Sequence, residues 1–371
     1  IAGGEAFVAL RGERHDGHAF LAEAARRGAA LLVVDRIDGD LPDTGGGTAP
    51  DILRVGDTLV AWGELARAHL AAWRAANADA RVVAITGSAG KTTTKELTAA
   101  LLGARGETWA TPGNLNNLVG VPAVLFALSG AHRFAVVECG MSVRGEIARL
   151  GEIVAPDVAV VTNVGLAHAE GVGGTRDDVG REKGALFLAA RLACVFDADD
   201  PLSTALAESS RAPRKMGFGR AKHAEYRLLD RVSRGAEGSR VTIERPCGDA
   251  CPSPRAREIV EVELPFVGEA AAIDLCAALA AAEAAAGSIP QVALDAAMAR
   301  AKNVEGRAGV LDLGAILVVD DTYNANPGSM RAALAILAEL AGPRRRVAVL
   351  GEMKELGPAA QGEHASLGDA V

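Results

Sequence analysis

The sequence has no excess of positive charge. Its 39 Lys and Arg residues are outnumbered by 47 Asp and Glu residues, which gives a formal net charge of −8. A nucleic-acid-binding face must neutralise phosphates with basic side chains, so this balance argues against a nucleic-acid partner. It leaves room for a single nucleotide, because a few backbone N–H groups and one lysine suffice to hold its phosphates.

Long apolar runs and a leader segment are also lacking. The Ala-rich stretch 270–286 is interrupted by Asp274 and Glu283, so it does not form an apolar run of membrane-spanning length. Residues 1–5 carry no basic segment of the kind that begins a signal peptide. We therefore predict a protein with no membrane segment and a cytoplasmic location.

Cysteine is scarce, and its five copies form an odd set. A reducing cytoplasm is the simplest setting for such a set. Cys247 and Cys251 are close in the sequence, but a structural zinc site needs four ligands and only His223 lies even loosely near them. We interpret both as free thiols in a loop.

Hydrophobic runs alternate with helical sequence along most of the chain. Apolar strands are predicted at 81–86, 134–137, 158–164 and 193–196, each followed by helical sequence. Such strands are typical of a parallel sheet that helices cover on both faces, which makes the fold class α/β. Residues 224–265 alternate polar and apolar residues instead, so we expect an antiparallel lobe attached to the same domain.

Three domains are predicted from the length of 371 residues and from the segments that separate the runs of strands and helices. The first, 1–78, ends at a hinge-like Asn-Ala-Asp-Ala segment, and the second, 79–308, carries the parallel sheet. The third, 309–371, contains two predicted strands, 315–320 and 347–351, around one helix. Two strands and one helix cannot cover their own sheet, so we expect this third domain to be incomplete.

A phosphate-binding loop is predicted between the strand at 81–86 and the helix that follows it. Its glycines allow backbone N–H groups to point at nucleotide phosphates, Lys91 would bridge the outer phosphates and the Thr92 hydroxyl would ligate Mg²⁺. Ile85 occupies the first Gly position of the general motif, so an ordinary glycine turn that caps a helix is the alternative. The residues predicted to hold the nucleotide here are Gly87, Ser88, Ala89, Gly90, Lys91, Thr92 and Thr93.

Three side chains are candidates for the chemistry beside that loop. Glu138 and His168 each follow an apolar strand, and open α/β sheets bind their ligands at the carboxyl ends of such strands. A carboxylate there is suited to Mg²⁺, while a solvated glutamate and a packed histidine are the alternatives. Lys183, by itself, is typical of a charged and solvated helix face.

Taken together, these segments resemble the Mur ligases. The resemblance begins at 7–13 with Asp-Gly-His at 16–18, and continues through a shortened phosphate loop at 87–94 and a substrate-like loop at 111–117. The most discriminating segment is Asp-Asp-Thr-Tyr-Asn-Ala-Asn-Pro at 320–327. It is similar to the signature of the family member that adds D-alanyl-D-alanine.

The resemblance implies an ATP-dependent, amide-forming ligase that joins D-alanyl-D-alanine to UDP-muramoyl tripeptide and acts as a monomer. It implies two Mg²⁺ ions, held by Thr92, Glu138, His168 and a carbamate on Lys183, with Lys91, His168 and Lys183 as the catalytic residues. The further nucleotide contacts that it implies are Asp274, Asn303, Arg307 and Asp321. The substrate contacts that it implies are Asn114, Asn116, Asn117, Tyr323, Asn324 and Asn326.

The sequence departs from the family in two respects. Relatives usually carry a His-Asn pair and a later Asn near position 270, whereas this chain reads Gly-Glu-Ala-Ala-Ala-Ile-Asp at 268–274. Asp274 would accept a hydrogen bond from the adenine amino group but would not donate one. The N-terminal Asp-Ser-Arg segment of the family and most of the third domain are expected to be missing, which would leave nucleotide binding without turnover.

Two other functions remain open at this point. One is another amide ligase of the superfamily, such as an earlier muramoyl ligase or a folylpolyglutamate synthetase. The other is a nucleotide-binding protein without catalytic activity.

Overall fold

The computed structural model describes residues 1–12, 14–37, 49–248 and 256–370. Glu13, in the first Mur-like segment, and Cys251 lie outside these residues. No helix in the described ranges combines the length and the apolar character needed to cross a bilayer.

A small parallel sheet lies at the N-terminal end of the described chain. Its strands β1 (Ala6–Val8), β2 (Leu31–Val34) and β3 (Asp51–Arg54) are hydrogen-bonded in that order, with α1 (Leu21–Arg26) between β1 and β2. Leu32 and Val34 pack against Ala9 and Ala24 in its core. This sheet has its own small core, as expected of a separate lobe.

The large sheet forms the middle of the molecule. Its strands are β4 (Arg81–Thr86), β5 (Thr108–Ala110), β6 (Phe134–Glu138), β7 (Val158–Val161), β8 (Ala193–Asp197), β9 (Arg214–Gly219), β10 (Tyr226–Ser233), β11 (Ser239–Pro246) and β12 (Arg257–Leu264). Across the described residues they follow the order β12-β11-β10-β9-β8-β7-β4-β6-β5. The strands from β5 to β10 pair in parallel, and β11 and β12 continue the sheet in antiparallel fashion. The predicted parallel α/β sheet is confirmed, and the predicted antiparallel lobe is an extension of it.

Helices cover both faces of this sheet. They are α2 (Thr58–Ala76), α3 (Lys91–Gly103), α4 (Gly120–Phe126), α5 (Glu146–Val154), α6 (Ala169–Val172), α7 (Arg176–Ala189), α8 (Pro201–Glu208), α9 (Glu269–Ala286) and α10 (Gln291–Arg300). Successive side chains of a strand point to opposite faces. Val83 and Ile85 therefore join the core under α3, α9 and α10, whereas Val82 and Ala84 join the core under α2, α4, α5 and α7.

Helix α2 belongs to the predicted first domain but packs on the central sheet. Leu70 and Trp73 lie in the same core as Val82. The buried Asp157 carboxylate joins the two elements, because it pairs with Arg74 of α2 and accepts a hydrogen bond of 2.8 Å from the backbone N–H of Val82. A buried charge is stable only when it is paired and hydrogen-bonded in this way.

The last part of the described chain begins with an antiparallel hairpin, β13 (Gly309–Asp312) and β14 (Leu317–Asp320), followed by α11 (Pro327–Ala341) and α12 (Ala360–Gly368). The predicted strand at 347–351 is wrong. Among the described residues the hairpin strands pair only with each other, and Val349 is 95% exposed. An apolar run forms a strand only where a neighbouring strand supplies its hydrogen bonds.

Three of the cysteines are free thiols, as a reducing environment would keep them, and one is not. Cys139, Cys194 and Cys276 are free and buried. The prediction of a free thiol is wrong for Cys247, which is disulfide-bonded. Its backbone N–H donates to the carbonyl of Ala256 at 2.8 Å, so the end of the β11–β12 hairpin brings the flanks of this loop together.

Candidate functional site

The loop between β4 and α3 is shaped by two glycines. Gly87 and Gly90 have φ angles of +155° and +78°, which side chains rarely adopt. A Cβ atom on Gly87 would lie 1.8 Å from Thr162 Oγ1, and one on Gly90 would lie 2.4 Å from Asp274 Oδ1. Both glycines are therefore needed for the neighbouring chain to approach this closely.

The segment that follows β7 holds the loop in place. The backbone N–H of Ala89 donates to Asn163 Oδ1 at 2.9 Å, and Thr162 Oγ1 donates to the carbonyl of Ala89 at 2.5 Å. Ser88 Oγ donates to the carbonyl of Gly165 at 2.8 Å. These three bonds fix the loop to the segment that follows β7.

Lys91 is the first residue of α3, and its ammonium group lies in the loop. Lys91 Nζ donates to the carbonyl of Gly87 at 2.8 Å, and no carboxylate of the described residues forms a salt bridge with it. Burial lowers the pKa of Lys91, an effect that nearby Glu138 opposes and Arg307 reinforces. A half-buried cation that lines a cavity beside a helix N-terminus favours an anionic ligand.

Oxygen atoms of Thr92 and Glu138 meet beside Lys91. Glu138, at the carboxyl end of β6, is 2% exposed and accepts hydrogen bonds from Thr92 Oγ1 at 3.0 Å and Asn116 Nδ2 at 2.9 Å. Arg307 Nη2 donates to the same Thr92 hydroxyl at 3.2 Å. Glu138 was selected because it ends an apolar strand, and the structure places it beside the loop. The alternative of a solvated glutamate is wrong, because the side chain is buried.

His168 and Lys183 complete a group of charges around Lys91. His168 is the N-cap of α6, with a φ of +58°, and its Nδ1 contacts Glu355. Burial lowers its pKa, and Glu355 opposes this while Lys91 and Lys183 reinforce it. Lys183 of α7 is 1% exposed, so it does not lie on a solvated helix face.

The pKa of Lys183 is lowered well below its ordinary value, first by burial and then by the charge of Lys91, while Glu182 acts in the opposite direction. No hydrogen bond to its amine is formed within the described part of the chain. That part also contains no cluster of three or more His, Cys, Asp and Glu side chains arranged to bind a metal. A metal here would therefore require ligands of other kinds.

A cavity of about 840 Å³ opens beside the loop. The predicted site residues that line it are Ser88, Ala89, Gly90, Lys91, Thr93, Asn114, Asn116, Asn117, Glu138, His168, Asp274, Asn303, Arg307, Asp321, Tyr323, Asn324 and Asn326. Gly87, Thr92 and Lys183 are not among the lining residues. Thr92 nevertheless contacts Glu138, and Lys183 lies near enough to Lys91 and His168 for their charges to interact.

Residues of the last predicted domain reach this cavity. The Arg307 guanidinium stacks on the Tyr323 ring at 3.9 Å, and the Ala308 N–H donates to Asp321 Oδ1 at 3.0 Å. Asn326 caps α11 and its side-chain amide reaches the carbonyl of Ser88 at 3.4 Å. The segment that resembled the family signature thus closes over the glycine loop.

Some lining residues were not predicted from the sequence. Phe266, Val267 and Ile336 give one part of the cavity an apolar wall, and Asp197 lies at the carboxyl end of β8. The strand-end rule that selected Glu138 would also have found Asp197. The apolar residues carry no such signal, because buried core positions have the same composition.

Comparison with known proteins shows the family to which the chain belongs. The family described as "Mur ligase middle domain" matches residues 85–282, and that described as "Mur ligase, glutamate ligase domain" matches 306–371. The UDP-N-acetylmuramoyl-tripeptide--D-alanyl-D-alanine ligase of Escherichia coli (strain K12) is 37% identical over 98% of this chain and 75% of its own length. The chain belongs to the Mur ligase family.

Solved structures of Mur ligases have the same fold. MurF from Acinetobacter baumannii matches with a TM-score of 0.84 at 31% identity, over 100% of this chain and 76% of that one. MurF from Thermotoga maritima, solved in complex with ADP, matches with a TM-score of 0.83 at 28% identity, over 100% and 79%. The architecture of this Mur ligase is therefore that of solved members.

Asp274 is the residue at which this Mur ligase departs most clearly from the expected pattern. Its carboxyl lies against Gly90, beside the loop. Burial raises its pKa to about 8, although Thr94 and Arg307 act to lower it. A protonated carboxyl predominates at neutral pH, so Asp274 is able to donate a hydrogen bond there, contrary to the expectation from the sequence.

The raised pKa of Asp274 predicts how stability depends on pH. Between about pH 4 and pH 8 the folded protein keeps a proton that the unfolded chain releases, so this group makes stability fall as pH rises. Asp274→Asn removes the titration. We expect its unfolding free energy, from urea titrations, to exceed that of the unsubstituted protein by an amount that grows through this window to a few kcal/mol.

Above about pH 8 the difference should level off. The exposed Asp79→Asn is the matched control and should change stability equally at every pH tested. A difference between Asp274→Asn and the unsubstituted protein that stays constant from pH 5 to pH 9 would contradict the assignment.

Proposed function

We propose that this protein is an ATP-dependent ligase that joins D-alanyl-D-alanine to UDP-N-acetylmuramoyl-tripeptide in peptidoglycan synthesis. The observation that carries the proposal is the half-buried Lys91 ammonium at the N-terminus of α3, next to the Thr92–Glu138 hydrogen bond. Relatives of that name cover nearly the whole chain at 31–37% identity.

The reaction needs ATP because a carboxylate does not react with an amine at neutral pH. Transfer of the γ-phosphoryl group of ATP to the tripeptide carboxylate gives an acyl phosphate and ADP. The amine of D-alanyl-D-alanine then attacks the acyl carbon, phosphate leaves, and the amide forms with loss of a proton. The protein contributes positioning and charge neutralisation more than covalent chemistry.

The glycine loop and α3 hold the triphosphate in this proposal. Backbone N–H groups of the first turn of α3, 90–93, and the Lys91 ammonium face its β- and γ-phosphoryl oxygens, whereas the N–H groups of Ser88 and Ala89 already donate to Asn163. Arg307 adds a second cation. Its Nε is buried and has no hydrogen-bond partner among the described residues, so it is available to donate to a phosphate oxygen. Asp274, Asn303 and Asp321 complete the nucleotide contacts, because all three line the same cavity.

Mg²⁺ fits the oxygen atoms beside the loop. The Thr92 hydroxyl and the Glu138 carboxylate are hard ligands of the kind that Mg²⁺ prefers, and they are already within 3.0 Å of each other. His168 and a carbamylated Lys183 would hold a second ion. When bound, the ions offset the negative charge where the tripeptide carboxylate meets the triphosphate.

Carbamylation of Lys183 is supported by its environment. Burial and the charge of Lys91 lower its pKa well below the ordinary value, which favours the neutral amine. A neutral amine attacks CO₂, forming an N–C bond and releasing a proton. The product is an anion, which the neighbouring Lys91 stabilises and which supplies the additional oxygen ligands that the site lacks.

The muramoyl substrate is proposed to lie against the loop before α4. Asn114, Asn116 and Asn117 line the cavity from this side, and Tyr323, Asn324 and Asn326 line it from the last domain. Trp62 of α2 steadies the loop, since its Nε1 donates to the carbonyl of Val119 at 3.0 Å. Domains at 1–78, 79–308 and 309–371 would then close around both substrates and exclude water from the acyl phosphate.

Phosphate release tests the proposed reaction. With the intact protein, ATP and Mg²⁺, we expect release only when UDP-muramoyl tripeptide and D-alanyl-D-alanine are both present, and Lys91→Met should lower it at least about 100-fold. Release that needs no acceptor would indicate an ordinary NTPase. Release with glutamate or diaminopimelate in place of the dipeptide would indicate a different ligase of the superfamily.

The carbamate on Lys183 has its own test. Lys183→Arg keeps a positive charge but cannot form a carbamate, so we expect it to lose ligase activity by at least about 100-fold. Protein equilibrated with ¹³C-bicarbonate should give a carbamate carbonyl resonance in ¹³C spectra that Lys183→Arg lacks. Lys222→Arg, at an exposed lysine, is the control. An identical spectrum for the Lys183 variant would rule out this role.

A further inference from the structure

The cavity has an apolar part that the phosphate-binding groups do not explain. Val267, Ala270 and Ala271, at the start of α9, line it from one side, and Ile336 of α11 lines it from another. A Cβ atom on Gly268 would lie 2.6 Å from Ile336 Cγ1, so the two elements are in close contact here. If the cavity holds ATP, as the proposed function states, this slot suits the flat and weakly polar faces of a nucleobase.

The first turn of α9 offers no polar side chain to the edge of such a base. Ala270 and Ala271 carry only methyl groups, and Glu269 is paired with Arg220. Asp274, one turn further on, lies against Gly90 and so belongs to the phosphate end of the cavity. The hydrogen bonds that distinguish one base from another must therefore come from another element.

Asp197 is placed to make such a bond. It ends β8 and lines the same cavity, half-buried. Its Oδ1 accepts from the N–H of Asp199 at 2.9 Å, whereas Oδ2 makes no hydrogen bond to the described residues. One oxygen is thus fixed by the backbone and the other is available to a ligand.

The end of β8 is attached to the start of α9. The Asp199 carboxylate accepts hydrogen bonds from the backbone N–H groups of Arg220, at 2.8 Å, and Ala221, at 2.5 Å. The Arg220 side chain in turn pairs with Glu269, the first residue of α9. These contacts join the segment that follows Asp197 to the helix that lines the apolar slot.

We propose that Asp197 selects adenine, its free carboxylate oxygen accepting a hydrogen bond from the amino group at C6 of the base. Guanine presents a carbonyl oxygen at that position. Two acceptors would then face each other without a proton between them, which makes GTP a poor ligand. A site built to accept from a ligand N–H group discriminates strongly in this way, because the mismatch leaves polar groups unpaired.

The charge state of Asp197 agrees with this role. Burial raises its pKa to about 6. The hydrogen bond from the Asp199 N–H and the charge of Arg176 oppose this rise, and the charges of Asp199 and Asp200 add to it. Above that pH the carboxylate is ionised and acts only as an acceptor. Asparagine in its place has a similar shape, but its amide also donates.

The test compares the dissociation constants of MgATP and MgGTP at pH 7.5 for the intact protein and its variants. The unsubstituted protein should prefer ATP, and Asp197→Asn should reduce the ratio of the two constants at least about tenfold, because the amide satisfies the guanine carbonyl. Asp197→Ala should also reduce it, through weaker ATP binding. Asp230→Asn, at an exposed position on β10, is the matched control and should leave the ratio unchanged.

The outcomes separate this inference from the proposed function on which it rests. If the unsubstituted protein binds neither nucleotide, or if Lys91→Met binds both as well as before, the proposed function fails. If ATP binds and Lys91→Met abolishes binding, but both Asp197 variants keep the original ratio, only the role of Asp197 is overturned. Absence of any preference for ATP over GTP in the unsubstituted protein would overturn it equally.

Discussion

The organisation of this protein depends on one half-buried cation, the ammonium group of Lys91 beside the cavity. Lys91 is held at the N-terminus of α3 by a bond to the carbonyl of Gly87, and the described residues offer it no carboxylate partner. Lys183 lies close enough for the charge of Lys91 to help lower its pKa well below the ordinary value. Such an arrangement is unfavourable in an empty protein and becomes favourable with a polyanion bound. The remaining features either hold this cation in place or bring reacting groups to it.

The fold brings segments that are distant in the sequence together at one edge of the large sheet. The carboxyl ends of parallel strands lie along one edge of the sheet, so Glu138 from β6, the segment after β7 and Asp197 from β8 all line the cavity beside the glycine loop that follows β4. Both faces of the sheet are covered by helices, which makes this edge rigid. The last domain reaches the edge through Asn326, and Arg307, at the junction with that domain, donates to Thr92, so a movement of the last domain alters the surroundings of the loop.

The sequence predicted most of the central sheet because its strands are uniformly apolar, and it placed Glu138 correctly because that residue ends such a strand. It failed where the outcome depends on tertiary neighbours. The run 347–351 has the composition of a strand but no strand beside it, and Lys183 has the sequence of a solvated helix face but is buried. The proton on Asp274 follows from its burial, which no local pattern encodes. Lys183 was singled out by the family resemblance alone. Its burial and its lowered pKa give a physical reason for the carbamate that the resemblance implies.

A crystal structure of the intact protein with a non-hydrolysable ATP analogue and Mn²⁺ in place of Mg²⁺ tests the central claim most directly. The account predicts the triphosphate in the loop at 87–92, the Lys91 ammonium against its outer phosphates, and an anomalous Mn²⁺ signal bonded to the oxygens of Thr92 and Glu138. A nucleotide bound elsewhere, or a triphosphate in the loop with the Mn²⁺ signal away from both oxygens, would contradict it.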